Sequence, residues 1–171
     1  MKTSISIFFI LVTATIYSQQ SDSYKRLISN LKPIDSLQVI KQNKDKIKGQ
    51  GLSVFYQCQD KYYSFYKGEY IQYYNNGNIS QINIYDKIGT LLYAKKNNRK
   101  GYIQSELIAT KISSKTNKLC DLLDEYDNLI IHLTANYYKY SKALDSVYIY
   151  KTVYLKEGKK IKTEKFDEPK V

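Results

Sequence analysis

The chain reads as an α+β protein: an N-terminal helical segment, a twisted antiparallel β-meander, one further short helix and a C-terminal β-hairpin block. Three observations carry this reading. Apolar residues fall at helical spacing from Tyr24 to Ile47, the period changes to two from Gly51 onward, and turns rich in Gly and Asn divide the rest at short intervals.

The helical segment is expected over Asp22 to Lys48. Tyr24, Leu27, Ile28 and Leu31 share one face, Pro33 makes a break, and Leu37, Ile40 and Ile47 follow, with Asp35 as an N-cap and Gly49 as a C-cap. From Gly51, Leu52, Val54, Tyr56 and Cys58 alternate with Ser53, Phe55 and Gln57, which is strand patterning. Turn chemistry at Asp60-Lys61, Lys67-Gly68, Asn75 to Asn78, Asp86 to Gly89 and Asn97 to Gly101 cuts this region into a meander. Thr116 to Tyr126 returns to helical spacing through Leu119, Leu122 and Leu123. A cleaner β block follows, in which Leu129, Ile131, Leu133, Ala135 and Tyr137 share a face, and Glu157-Gly158-Lys159 turns the chain into its last strand. No Pro-rich or Ser-rich linker interrupts residues 19–171, so they are expected to form one domain.

The first 18 residues have the form of a secretory signal peptide: Lys2, an apolar run from Ile5 to Ala14, and the small residue Ser18 before a polar stretch. That run is shorter than the roughly 20 apolar residues a membrane-spanning helix needs. The mature chain is therefore expected in the periplasm or outside the cell, without a transmembrane segment. Export permits oxidation, so Cys58 and Cys120 are candidates for a disulfide, or else two buried thiols.

A net charge of +11 attracts polyanions. Lysine dominates, however, with Arg26 and Arg99 the only arginines, whereas phosphate and base recognition favours the arginine fork. Nucleic acid is disfavoured on that ground, and export points the same way. The partner expected instead is a protein or an acidic glycan in the cell envelope.

Gly68, Gly77, Gly89 and Gly101 are each followed two positions later by an apolar residue: Tyr70, Ile79, Leu91 and Ile103. Tyr74-Asn75-Asn76-Gly77-Asn78-Ile79 and Tyr85-Asp86-Lys87-Ile88-Gly89-Thr90-Leu91 resemble the aromatic-x-x-Gly-x-aliphatic units of MORN-repeat variants, found in exported bacterial and antitoxin-like proteins. The resemblance covers about residues 66–103 and lacks the second Gly and the Trp of fuller repeats. It implies a twisted array of hairpins that contacts a protein or a membrane and carries no catalytic residues. A plain meander with glycine turns fits the same spacing.

Candidate chemistry is sparse. His132 is the sole histidine, and a small hydrolase would need a carboxylate beside it. Asp121, Asp124, Glu125 and Asp127 form the one acidic cluster, whose oxygens suit calcium or magnesium although the loop spacing of a calcium hand is missing. No cofactor motif is present. Lys95, Lys96, Arg99 and Lys100 are expected at a hairpin tip. The nineteen tyrosines fall on strands whose alternation must send some rings outward, and Tyr offers a rigid apolar body with a polar end. Tyr70, Tyr73, Tyr148 and Tyr150, with Lys95 and Lys96, are therefore the expected binding residues.

Overall fold

The computed structural model describes residues 20–169, the side chain of Tyr126 excepted. The expected signal peptide lies outside the described residues. Nine antiparallel strands form a single sheet in chain order: β1 (Asp35–Asn43), β2 (Lys46–Cys58), β3 (Lys61–Tyr73), β4 (Ile79–Tyr85), β5 (Leu91–Asn97), β6 (Ile103–Ser114), β7 (Leu129–Ser141), β8 (Ser146–Lys156) and β9 (Lys159–Lys165). Two short helices accompany it, α1 (Asp22–Ser29) and α2 (Leu119–Asp124).

The N-terminal helical segment is much shorter than its spacing predicts. Ser21 caps α1 by accepting from the Tyr24 amide, and the helix ends at Asn30. Asp35, expected as an N-cap, is instead the first residue of β1, and Gly49, expected as a C-cap, lies within β2. The physical reason for β1 is pairing: residues 35–43 run antiparallel to β2 and are exposed nearly throughout, so no buried stripe marks their period. Gly49 and Gly51 answer to Tyr70. A Cβ on Gly51 would sit 2.6 Å from the Tyr70 ring and 3.0 Å from the Glu69 carbonyl oxygen, and one on Gly49 would sit 2.7 Å from the Tyr70 hydroxyl.

Gly68 is likewise no turn. It stands inside β3 with φ of +69°, where the pairing with β2 slips between Gly51 and Leu52. Gly77, Gly89 and Gly101 do turn the chain, each at positive φ. All three close the same hairpin, in which the glycine amide donates to the carbonyl three residues back (Tyr74, Asp86, Asn98) and a second bond seals the loop base. That is a type I turn completed by a left-handed residue, a geometry that glycine adopts without steric cost.

One in-register row crosses the whole sheet: Val39, Gly51, Tyr70, Asn83, Ala94, Leu107, Ala135, Val153 and Thr163. Residues in such a row share a face. Leu52, Val54 and Tyr56 therefore occupy the face opposite to Leu129, Ile131, Leu133 and Ala109, yet both sets enter one core. Twist reconciles them, because strands rotate by about 20–25° each, turning this sheet by about half a turn end to end. Between the two sets, the β4–β5 hairpin tip points into the core with Ile88 and Thr90 buried. Helix α1 covers the core with Tyr24 and Ile28, and α2 with Leu122 and Leu123.

Helix α2 is pinned from outside the core as well. Cys58, at the end of β2, is bonded to Cys120, with Cα atoms 5.6 Å apart. Beside that bridge Tyr63 and Lys61 both donate to Asp124, which holds its carboxyl below the usual range.

Candidate functional site

Side chains on β7 and β8 build an alternating run of ammonium groups and rings. Lys139 lies 4.5 Å above the Tyr150 ring, and Lys151 lies 4.0 Å from the Tyr137 ring and 5.8 Å from Tyr150. The pairing that makes this run depends on an irregularity: Tyr137 opposes Lys151, Tyr138 opposes Ile149, and Tyr150 is left as the extra residue between them. An extra residue of this kind bends the strand and re-aims its side chain. Tyr148 opposes Lys139 directly, and Lys165 of β9 opposes Lys151, so further lysine and tyrosine border the run. The rings are half-buried and Lys139 is exposed. Each exposed cation–ring contact contributes about 0.5–1 kcal/mol, enough to order the lysines while leaving their charge in solvent.

The residues expected to bind do not form one patch. Tyr70 is only 4% exposed, because its ring covers Gly49 and Gly51, so it is a packing residue. Tyr73 is half-buried, its hydroxyl accepting from Gln50. Lys95 and Lys96 are not at a hairpin tip: they lie within β5, where Lys95 pairs with Ile82 and Glu106, and Lys96 with Gln81 and Ser105, on opposite faces. Arg99 and Lys100 of the same basic run do occupy the tip. Tyr150 alone belongs to the β7–β8 run, and Tyr148 borders it. Its other members, Tyr137, Lys139 and Lys151, were not singled out by their sequence pattern, although the Tyr137-Tyr138 pair flags the position.

His132 lies on β7, and the acidic cluster lies on and just after α2. His132 is flanked across the sheet by Lys111 and Lys156 rather than by a carboxylate. Among the described residues, no group of three His, Cys, Asp or Glu side chains is placed to hold a metal ion. Asp124 of the acidic cluster serves Lys61 and Tyr63, and Asp121 meets the Thr116 hydroxyl.

Two features were not foreseen. Glu106 accepts hydroxyl bonds from Tyr93, at 2.7 Å, and from Tyr138. Burial, with the Glu106 bonds second, pushes both tyrosines well above their usual titration range. A cleft of about 500 Å³ also opens between α1 and the sheet, walled by Ile28, Ile84 and Leu92 and rimmed by Lys25, Lys67 and Lys87. Its floor is Asp86, whose carboxylate is engaged by the Tyr24 hydroxyl, the Gln20 side chain and the amides of Ile88 and Thr90. Among the described residues no helix is long and apolar enough to cross a membrane.

No family model, curated protein or solved structure matches the chain.

Proposed function

We propose that the protein is an exported binding module of the cell envelope, acting without catalysis, whose MORN-like sheet meets an acidic partner through the tyrosine and lysine side chains of β7 and β8. The carrying observation is the run Lys139, Tyr150, Lys151, Tyr137, in which ammonium groups are held over rings at 4.0–5.8 Å on the sheet surface. Such a run offers flat apolar area and positive charge together, which suits an anionic sugar chain or an acidic protein surface. The repeated glycine hairpins at Gly77, Gly89 and Gly101 support the MORN-like reading, and the apolar run at Ile5 to Ala14 supports export.

Binding to immobilised polygalacturonate, with neutral dextran as control, tests the reading. Retention on the acidic polymer should fall steeply between low and physiological salt, because exposed charges are screened over about 8 Å at 0.15 M. The double variant Tyr137→Ser/Tyr150→Ser should lose retention while melting within a few degrees of the parent. Equal retention by dextran, or by the double variant, would remove the proposal. Mass spectrometry of the released protein tests export: an N-terminus at or near Gln19 is expected, and a product that retains Met1 to Ala14 would refute it.

A further inference from the structure

The two outer edges of the sheet are treated differently. Edge strand β9 carries Lys159, Lys160, Lys162 and Lys165, so any second strand of the same kind meets like charge. Lysine on an edge is a recognised protection against strand addition. Edge strand β1 lacks that protection. It is nine residues long and exposes Leu37 at 58% and Ile40 at 52%, with Ile34 at 55% just before it. Its two charged residues are Asp35 and Lys41, which cancel.

These charges are symmetric about Gln38, one residue from the middle of the strand. If two copies of β1 lie antiparallel with Gln38 opposite Gln38, then Asp35 of each copy falls opposite Lys41 of the other, Leu37 opposite Val39, and Ser36 opposite Ile40. Within one chain Asp35, Leu37, Val39 and Lys41 all project from the same face, since side chains alternate along a strand. The two ion pairs would therefore flank two apolar cross-strand pairs on one face. A two-fold contact requires this self-complementarity, in which residue i meets j and j meets i.

We propose that β1 is a self-pairing edge, and that the protein forms a two-fold dimer in which two nine-stranded sheets join through β1 in the Gln38-centred register. The partner is a second copy of this chain, selected by the Asp35–Lys41 complementarity that a neutral or lysine-rich strand cannot offer.

Charge exchange tests the register. By light scattering, the purified protein should have about twice the mass of one chain. Asp35→Lys and Lys41→Asp should each be monomeric at concentrations at least tenfold above the parent's dissociation constant, because like charges then meet twice. The double exchange Asp35→Lys/Lys41→Asp should dimerise again, and an equimolar mixture of the two single variants should form a mixed dimer. Circular dichroism of each single variant must match the parent. As a second measurement, Gln38→Cys should give a disulfide-linked dimer on mild oxidation, and Ser36→Cys, whose partner in this register is Ile40, should link at least tenfold more slowly. A parent protein that stays monomeric at millimolar concentration would overturn the proposal. So would single variants that dimerise like the parent, or equal linking rates at the two cysteine positions.

Discussion

Asp86 governs the hairpin tip that fills the centre of the core, and its replacement separates two roles. One carboxylate oxygen accepts from the amides of Ile88 and Thr90, both at 3.0 Å, which holds the loop closed around Gly89. The other accepts from the Tyr24 hydroxyl at 2.6 Å and from Gln20 at 3.1 Å. In the next hairpin Asn98 does the first job alone, accepting from the amides of Lys100 and Tyr102. Asp86→Asn should thus keep the loop, since Tyr24 can turn its hydroxyl proton to Thr90, 2.8 Å away. Asp86→Ala strands two buried amides at about 1–3 kcal/mol each, so a loss of roughly 3 kcal/mol is expected relative to the Asn variant. For a domain of this size that corresponds to about 10 °C in melting temperature. Burial pushes the Asp86 carboxyl above its usual range, partly opposed by its hydrogen bonds. The folded state then holds the proton more tightly than the unfolded one, so this group's contribution is full below about pH 4 and declines as pH rises through the elevated value. The Asn variant should accordingly gain on the parent between acid and neutral pH. Thermal melts of the parent and both variants across that range decide the matter; Ala and Asn variants melting within about 2 °C of each other at pH 7 would refute the capping role.

Three further expectations concern the scaffold. Removing the Cys58–Cys120 bridge, which spans 62 residues, should cost about 4 kcal/mol by releasing the unfolded chain, read as a lower denaturant midpoint for Cys58→Ala/Cys120→Ala. Gly51→Ala should cost about 1–3 kcal/mol because the added methyl meets the Tyr70 ring and the Glu69 carbonyl, and in a Tyr70→Ala background the cost should fall but not vanish, since the carbonyl contact at 3.0 Å remains. Tyr24, Tyr93 and Tyr138 are all pushed up, chiefly by burial, so the stability they confer is present below about pH 10 and lost above it. Tyrosinate absorbance should therefore rise in a late step coincident with loss of circular dichroism, and full titration near pH 10 in a folded protein would contradict the placement of these rings.

What could be read from the chain depended on whether a position had a buried side. Leu129, Ile131 and Leu133 alternate because one face of β7 enters the core that the helices cover, and their period of two is plain in the sequence. Gly77, Gly89 and Gly101 are legible because each needs positive φ in the same loop. Strand β1 gave no such signal: its residues are exposed nearly throughout, so Leu37 and Ile40, with Ile47 at the exposed start of β2, were free to mimic helical spacing. Gly49 and Gly51 could not be interpreted without Tyr70, which lies a strand away. The β7–β8 run was hidden for a related reason. Its contacts depend on the displaced Tyr150, and alternation alone assigns that ring to a different neighbour.

The abundance of tyrosine also explains how the chain presents its charge. Among the described residues five carboxylates accept from tyrosine hydroxyls: Asp86 from Tyr24, Glu106 from Tyr93 and Tyr138, Asp124 from Tyr63, Asp145 from Tyr140, and Glu164 from Tyr154. A hydroxyl satisfies a carboxylate without neutralising it, but it does fix where the negative charge sits, close to the sheet surface and beside a ring. The lysines are bound less by acids, with three ion pairs among the described residues, and Lys41, Lys139 and Lys151 stand over rings instead. A ring holds an ammonium in place and leaves its charge unpaired. Tyrosine hydroxyls thus fix several acidic groups on the scaffold, while lysines such as Lys139 and Lys151 are held over rings; the acidic partner proposed above would meet that positive charge. Salt should on this account weaken partner binding far more than it weakens the fold, because the hydroxyl–carboxylate bonds are short-range and the displayed lysine field is not.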